Sequence, residues 1–194
     1  QYHQPDTTTH VILSPQEIPW LNTPTNELYP TFYGDGFMAH NPWGSDPGEI
    51  SELLYCSDAA GSYNLHSCMM PAGETLSDRL SSTKSVTATL LENLNSPGND
   101  KCPFVNGNLL VFCSDRPGGY GGFDLYYATR EGDSWSDPVN FGDRINTAND
   151  EYRPITLYLD NYDNNLMIFS SDRPGGMGGF DLYFTGIREM VRGS

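Results

Sequence analysis

The sequence predicts an all-β fold assembled from repeats, and three observations predict it. The segment 112–126, FCSDRPGGYGGFDLY, recurs almost letter for letter as 169–183, 57 residues further on. A second signature, Asn-(Thr/Ser)-x3-(Glu/Asp)-x2-Pro, occurs three times at a different phase of the same repeat: Asn22, Thr23, Glu27 and Pro30; Asn95, Ser96, Asp100 and Pro103; Asn146, Thr147, Glu151 and Pro154. The composition agrees, with 20 Gly and 14 Pro as punctuation, 12 Tyr and 9 Phe as strand-compatible bulk, and no long stretch of helical period.

The chain divides into an N-terminal tail (1–10), one domain of three repeats (11–187) and a C-terminal tail (188–194). At 194 residues one domain buries roughly 70% of the surface its unfolded chain exposes. The repeats run over about 22–94, 95–145 and 146–187. In the first, the Ser-Asp signature is eroded to Tyr55-Cys56-Ser57-Asp58, leading through Gly61 and Tyr63 to Asn64-Leu65.

The middle repeat defines the plan. Pro103-Phe104-Val105 and 109–112 flank Asn106-Gly107-Asn108, a hairpin signal that implies two antiparallel strands. The stretch 114–122 is too rich in glycine for regular structure, and 123–127 resumes a strand. After the turn Glu131-Gly132-Asp133, 135–141 reads as a fourth, outer strand ending at Gly142. The third repeat follows with strands at 155–159, 166–169 and 180–184 and stops one strand short. The missing strand is expected from 11–21, since 11–20 precedes Asn22-Thr23 as 135–144 precedes Asn146-Thr147.

Four short antiparallel strands in about 50 residues make a β-propeller blade. The predicted fold is therefore an all-β propeller of three four-stranded antiparallel blades, the N-terminal strand completing the last. Propellers usually have four to eight blades. Three blades suit half of a six-bladed ring closed by a homodimer, a small three-bladed ring, or part of something longer; the dimer is preferred because a closed ring leaves no unpaired edge.

These residues resemble the TolB-like (WD-like) propeller repeats of bacterial envelope proteins. The resemblance rests on the F-x-S-D-R-P-G-G-x-G-G-F-D-L-Y core, the W-S-x-P-V-N strand and the I-N-T-x3-E-x2-P link, strongly over 95–184 and weakly over the first repeat. It implies a periplasmic or outer-membrane-associated propeller used for binding rather than chemistry.

Charge narrows the partners. A net charge of −15 with only Lys84 and Lys101 as lysines repels a phosphate backbone and an anionic membrane, so nucleic acid is not expected. No apolar run approaches the ~20 residues of a spanning helix. Four cysteines, the acidic balance and scarce lysine suit an extracellular or periplasmic setting, and the start at Gln1 without a signal-peptide pattern is what a processed or trimmed chain shows. The pairing of Cys56, Cys68, Cys102 and Cys113 is open; Cys56 and Cys113, at equivalent positions, read first as small buried residues.

Repetition itself separates architecture from function. A residue present in each repeat serves every repeat, whereas a site is built where repeats differ. Ser114, Asp115, Arg116 and Asp124, with Ser171, Asp172, Arg173 and Asp181, are accordingly assigned to the fold: a carboxylate at a strand end caps the glycine turn and the arginine pairs with a carboxylate. The departures cluster in the first repeat, where the 31–50 insertion carries Tyr33, Asp35, Phe37, His40 and Trp43, a mixture able to stack on sugars or grip a peptide. His66, standing where Tyr126 and Tyr183 stand, is a further ligand-binding candidate or a core substitution.

Zinc at His40 and His66 with Asp35 or Asp46 lacks ligand spacing. Calcium at Asp160 and Asp163 is a weak candidate without EF-hand spacing, and no other cofactor is expected. Nucleophile elbow, metalloprotease and phosphate-loop motifs are missing. The expected function is a non-catalytic propeller recognising a protein or glycan through blade loops. The alternatives are a glycosidase-like enzyme with a carboxylate pair in the ring centre, and a structural assembly subunit.

Overall fold

The computed structural model describes residues 14–35, 49–71, 73–158 and 164–188. It is all-β, in three antiparallel sheets that follow one another along the chain. The first pairs β1 (Glu27–Asp35), β2 (Glu49–Ser57), β3 (Asn64–Met69) and β4 (Thr89–Leu90) in that order, with a short helix α1 (Leu76–Leu80) between the last two. The second joins β5 (Asp100–Asn106), β6 (Leu109–Ser114) and β7 (Asp124–Glu131), with β8 (Ser134–Trp135) and β9 (Val139–Asn140) both on β7. The third has β10 (Glu151–Leu157), β11 (Asn164–Ser171) and β12 (Asp181–Arg188).

Local chemistry accounts for these elements. Asn106 pairs with Leu109, so Gly107 and Asn108 form the two-residue loop, one residue later than an Asn-Gly turn would sit. Gly107 has φ +57° and Asn108 stays out of the left-handed region, the pattern of a type II′ turn. The expected single outer strand 135–141 is split into β8 and β9, because Pro138 has no N–H for the ladder and the Ser136 hydroxyl instead accepts from the Thr129 amide at 3.0 Å.

The expected closing strand is not seen among the described residues. Residues 14–20 carry no strand, and Ile18 and Trp20 pack with Leu21 on Leu53, Tyr55 and Cys68 of the first sheet. The third sheet has three strands among the described residues, with β12 at its edge.

The core lies between the sheets. Leu54, Cys56 and Leu65 of the first sheet meet Val105, Leu110, Phe112 and Trp135 of the second. On the second sheet's other face, Leu109, Val111, Cys113 and Leu125 meet Met167, Phe169 and Ile187 of the third. Each sheet's first strand lies innermost: β5 packs against both β1 and β10. The Val105 amide donates to Thr31 Oγ1 at 3.1 Å, and Asn106 Nδ2 donates to the Thr156 carbonyl at 3.3 Å, so the three strands are stitched at neighbouring positions.

Candidate functional site

The repeated motifs are consumed by the fold. Glu151 accepts from the Thr147 amide (2.8 Å) and hydroxyl (2.7 Å), Asp100 accepts from the Ser96 amide and hydroxyl, and Glu27 from the Thr23 amide, each closing the turn into an innermost strand. Arg116 then donates to Asp100 at 2.7 Å and to the Leu94 carbonyl at 2.6 Å; Arg173 repeats this with Glu151 at 3.0 Å and the Ile145 carbonyl at 2.7 Å. Ser114 and Ser171 accept from the same arginines. Asp115 receives the Asn99 amide and Asp172 the Asp150 amide. Asp124 caps the Tyr120 and Gly121 amides, as Asp181 caps those of Met177 and Gly178.

The first-repeat candidates do not form one site among the described residues. Tyr33 packs edge-on to Trp135, ring centroids 5.6 Å apart, under the Arg130 guanidinium, which is paired with Glu52 at 3.0 Å between the first two sheets. His66 stacks on Tyr55 at 5.5 Å, the place in which Tyr126 stacks on Phe112 and Tyr183 on Phe169, each at 6.0 Å. Its Nε2 is buried without a hydrogen-bond partner, and burial holds its pKa below the usual imidazole value. Asp35 ends β1 opposite Glu49. Phe37, His40 and Trp43, like the calcium candidates Asp160 and Asp163, lie outside the described residues. Among those described, no group of three His, Cys, Asp or Glu side chains could hold a metal ion, and all four cysteines are buried free thiols.

A different constellation emerges where the innermost strands meet. In each, the residue before the signature proline sits in the left-handed region: Tyr29 at φ +56°, Cys102 at +55°, Arg153 at +52°. A β-bulge accompanies it every time, between Leu28 and Thr31, Lys101 and Phe104, Tyr152 and Ile155. A non-glycine residue in this region costs on the order of 1–3 kcal/mol, and a following proline restricts it further. These are the only three such residues among those described.

The bulges turn Tyr29, Cys102 and Arg153 toward one another. With Pro30, Pro103, Pro154, Phe104 and Ile155 they line an open cavity of about 250 Å³. The Arg153 guanidinium donates to the Tyr29 hydroxyl at 3.1 Å and lies 5.1 Å from that ring and 5.9 Å from Tyr152. Arg153 is exposed, and no described carboxylate pairs with it, unlike Arg79, Arg116, Arg130 and Arg173. The bond to Tyr29 raises its pKa. Cys102 is held below the ordinary thiol range by the Cys113 thiol, which hydrogen-bonds to it, with smaller contributions from the Tyr152 hydroxyl and from Arg153. Cys113 goes the opposite way through complete burial, and Cys56 is pushed up to about 12 by burial.

A second cavity, of about 430 Å³ between residues 16–19 and Leu80–Ser81, gathers Glu17 as its one charged lining residue. Of these two cavities, the inner one draws its lining from all three repeats. Tyr29, Cys102 and Arg153 were not singled out by sequence, although the signal was there: x-Pro ends every copy of the signature, and x differs each time. No family model matches the chain, and no curated protein matches it.

Proposed function

We propose that the three sheets are blades of a TolB-like β-propeller, and that the chain is a non-catalytic binding protein of the bacterial envelope or exterior. Its ligand site in this reading is the cavity between the innermost strands. The ligand is a protein or glycan that presents a carboxylate.

One observation carries the reading. At three equivalent, strained positions the chain places three different side chains around one cavity, and the cationic one lacks a described carboxylate partner in a chain of net charge −15. The strained bulge is common to the three repeats and belongs to the fold; the side chain it presents differs each time, and that difference supports a site. Arg153 offers a planar donor fork to a carboxylate, Tyr29 and Phe104 offer faces for an apolar or sugar ring, and the prolines keep the floor rigid. A hydrogen bond to a charged group contributes about 1.5–3 kcal/mol, or about 10–150-fold in affinity.

Calorimetric titration with uronic-acid oligosaccharides, with peptides ending in a free carboxylate, and with their neutral amides tests this. The expected result is binding of an acidic form only, weakened at least tenfold in Arg153→Gln. Equal binding of acid and amide, or an Arg153→Gln variant that binds as well as the parent, would sink it.

A further inference from the structure

The third sheet carries apolar residues on both faces, and only one is covered among the described residues. Met167, Phe169 and Ile187 pack into the core against the second sheet. The opposite face forms three cross-strand rows: Ser170 and Leu182; Ile155, Ile168 and Phe184; Leu157, Leu166 and Gly186. None of these eight residues is charged, and Leu182 and Phe184 are 77% and 78% exposed. An apolar face of this kind on an otherwise acidic chain marks an interaction surface.

The chain itself shows what such a face receives. In the second sheet the equivalents of Leu182 and Ile168 are Leu125 and Val111, both fully buried by the third repeat. The backbone repeats the lesson: the Tyr63 carbonyl accepts the Asp100 amide at 2.8 Å, and the Phe123 carbonyl accepts the Glu151 amide at 2.7 Å. Phe180 is the third residue of that series, 54% exposed, and no described amide of this kind reaches it. Gly121 and Gly122 lie directly against the Thr147–Asp150 backbone and the Asp150 carboxylate of the next repeat, whereas their equivalents Gly178 and Gly179 face open space.

We infer that the open face of the third sheet is a docking site for a further repeat unit of the same signature. Such a unit delivers an acidic residue's backbone amide to the Phe180 carbonyl, an apolar inner strand over Ile155, Leu182 and Phe184, and a loop over Gly178 and Gly179. A second copy of this chain is not that unit. Its first sheet has Leu53, Tyr55 and Cys68 already closed over by Ile18, Trp20, Leu21 and Val86, with Trp20 bonded to the Arg79 carbonyl at 2.9 Å. The six-bladed ring of two chains would have to displace that cap. The partner is therefore a repeat unit whose leading face is uncovered, and this inference stands independently of the ligand reading.

The test extends the chain in register, grafting residues 131–187 a second time after Ile187, the natural period of 57 residues. The expected protein unfolds in one transition at a higher temperature than the parent, and the amides of 181–187 gain protection from hydrogen exchange. Gly178→Ala and Leu182→Glu, tolerated in the parent, become destabilising in the extended chain. An extension that stays unfolded beside an intact parent overturns the inference. So does one that folds without protecting 181–187. A parent that dimerises through this face, losing half its mass in light scattering on Leu182→Glu while the extension adds no stability, also overturns it, in favour of face-to-face self-pairing.

Discussion

Arg153 of the third repeat donates a hydrogen bond of 3.1 Å to the Tyr29 hydroxyl of the first, 124 residues away in sequence. The bond joins the two end sheets of the series at the cavity, and both its residues are held at positive φ. In the proposed carboxylate site, stability and binding would be set against one another at this point.

Arg153→Gly is expected to separate them. Glycine occupies the left-handed region without penalty, so relief of about 1 kcal/mol offsets the lost contact to Tyr29, and the thermal midpoint holds or rises. Carboxylate binding is lost in the same variant. A scan paired with a titration checks this, and a midpoint several degrees lower would show that the backbone there is not strained.

The glycine turns give a matched comparison. A Cβ on Gly121 would land on the Thr147 and Asn149 carbonyls, and one on Gly178, 57 residues later, would meet nothing within 4 Å. Gly121→Ala should cost more than about 2 kcal/mol, in the range of overpacking, while Gly178→Ala should lie within about 0.5 kcal/mol of the parent in denaturant titration.

Arg116 and Asp100 form the tightest repeat ion pair, with Asp100 fully buried. Removing the arginine leaves a buried carboxylate whose remaining donors are the Ser96 amide and hydroxyl. Arg116→Ala is expected to cost about 3–5 kcal/mol. The double change Arg116→Ala with Asp100→Asn should recover part of that loss; no recovery in urea unfolding would mean that the arginine matters through its bond to the Leu94 carbonyl instead.

His66 should make stability fall in acid. Its folded pKa lies below the unfolded value of 6.5, so below pH 6.5 the unfolded chain binds a proton that the folded chain refuses. The contribution is complete above pH 6.5 and is lost as pH falls toward the folded pKa. His66→Tyr, the residue of the other repeats, removes this part of the pH dependence between pH 5 and 7; an unchanged profile would mean that His66 is not the titrating group.

Much of the architecture was legible because it is local. Thr147 reaches Glu151 four residues away, Asp124 caps amides three and four residues back, and Ser114 accepts from the guanidinium two residues on, so these turns are set locally wherever the motif is written. The pattern of 135–141 reads as one outer strand, and the missing N–H of Pro138 divides it in two. The insertion is the largest departure between repeats, while the inner cavity is lined through one-residue differences at Tyr29, Cys102 and Arg153, which stand out in the sequence far less.

The sequence by itself determined the repeat, the strand order within each unit and the structural work of the Ser-Asp-Arg and Gly-Gly motifs, since the partners are written in recurring motifs, whether two residues apart, as Ser114 and Arg116, or 16 and 22 apart, as Arg116 with Asp100 and Arg173 with Glu151. Only the tertiary structure decided which residues meet at the inner strands and which face stays open. The same Gly-Gly turn is wedged against its neighbour at Gly121 and free at Gly178, and the same leucine is buried at 125 and 77% exposed at 182. Identical local sequence cannot encode that difference, because it lies in what the next repeat covers.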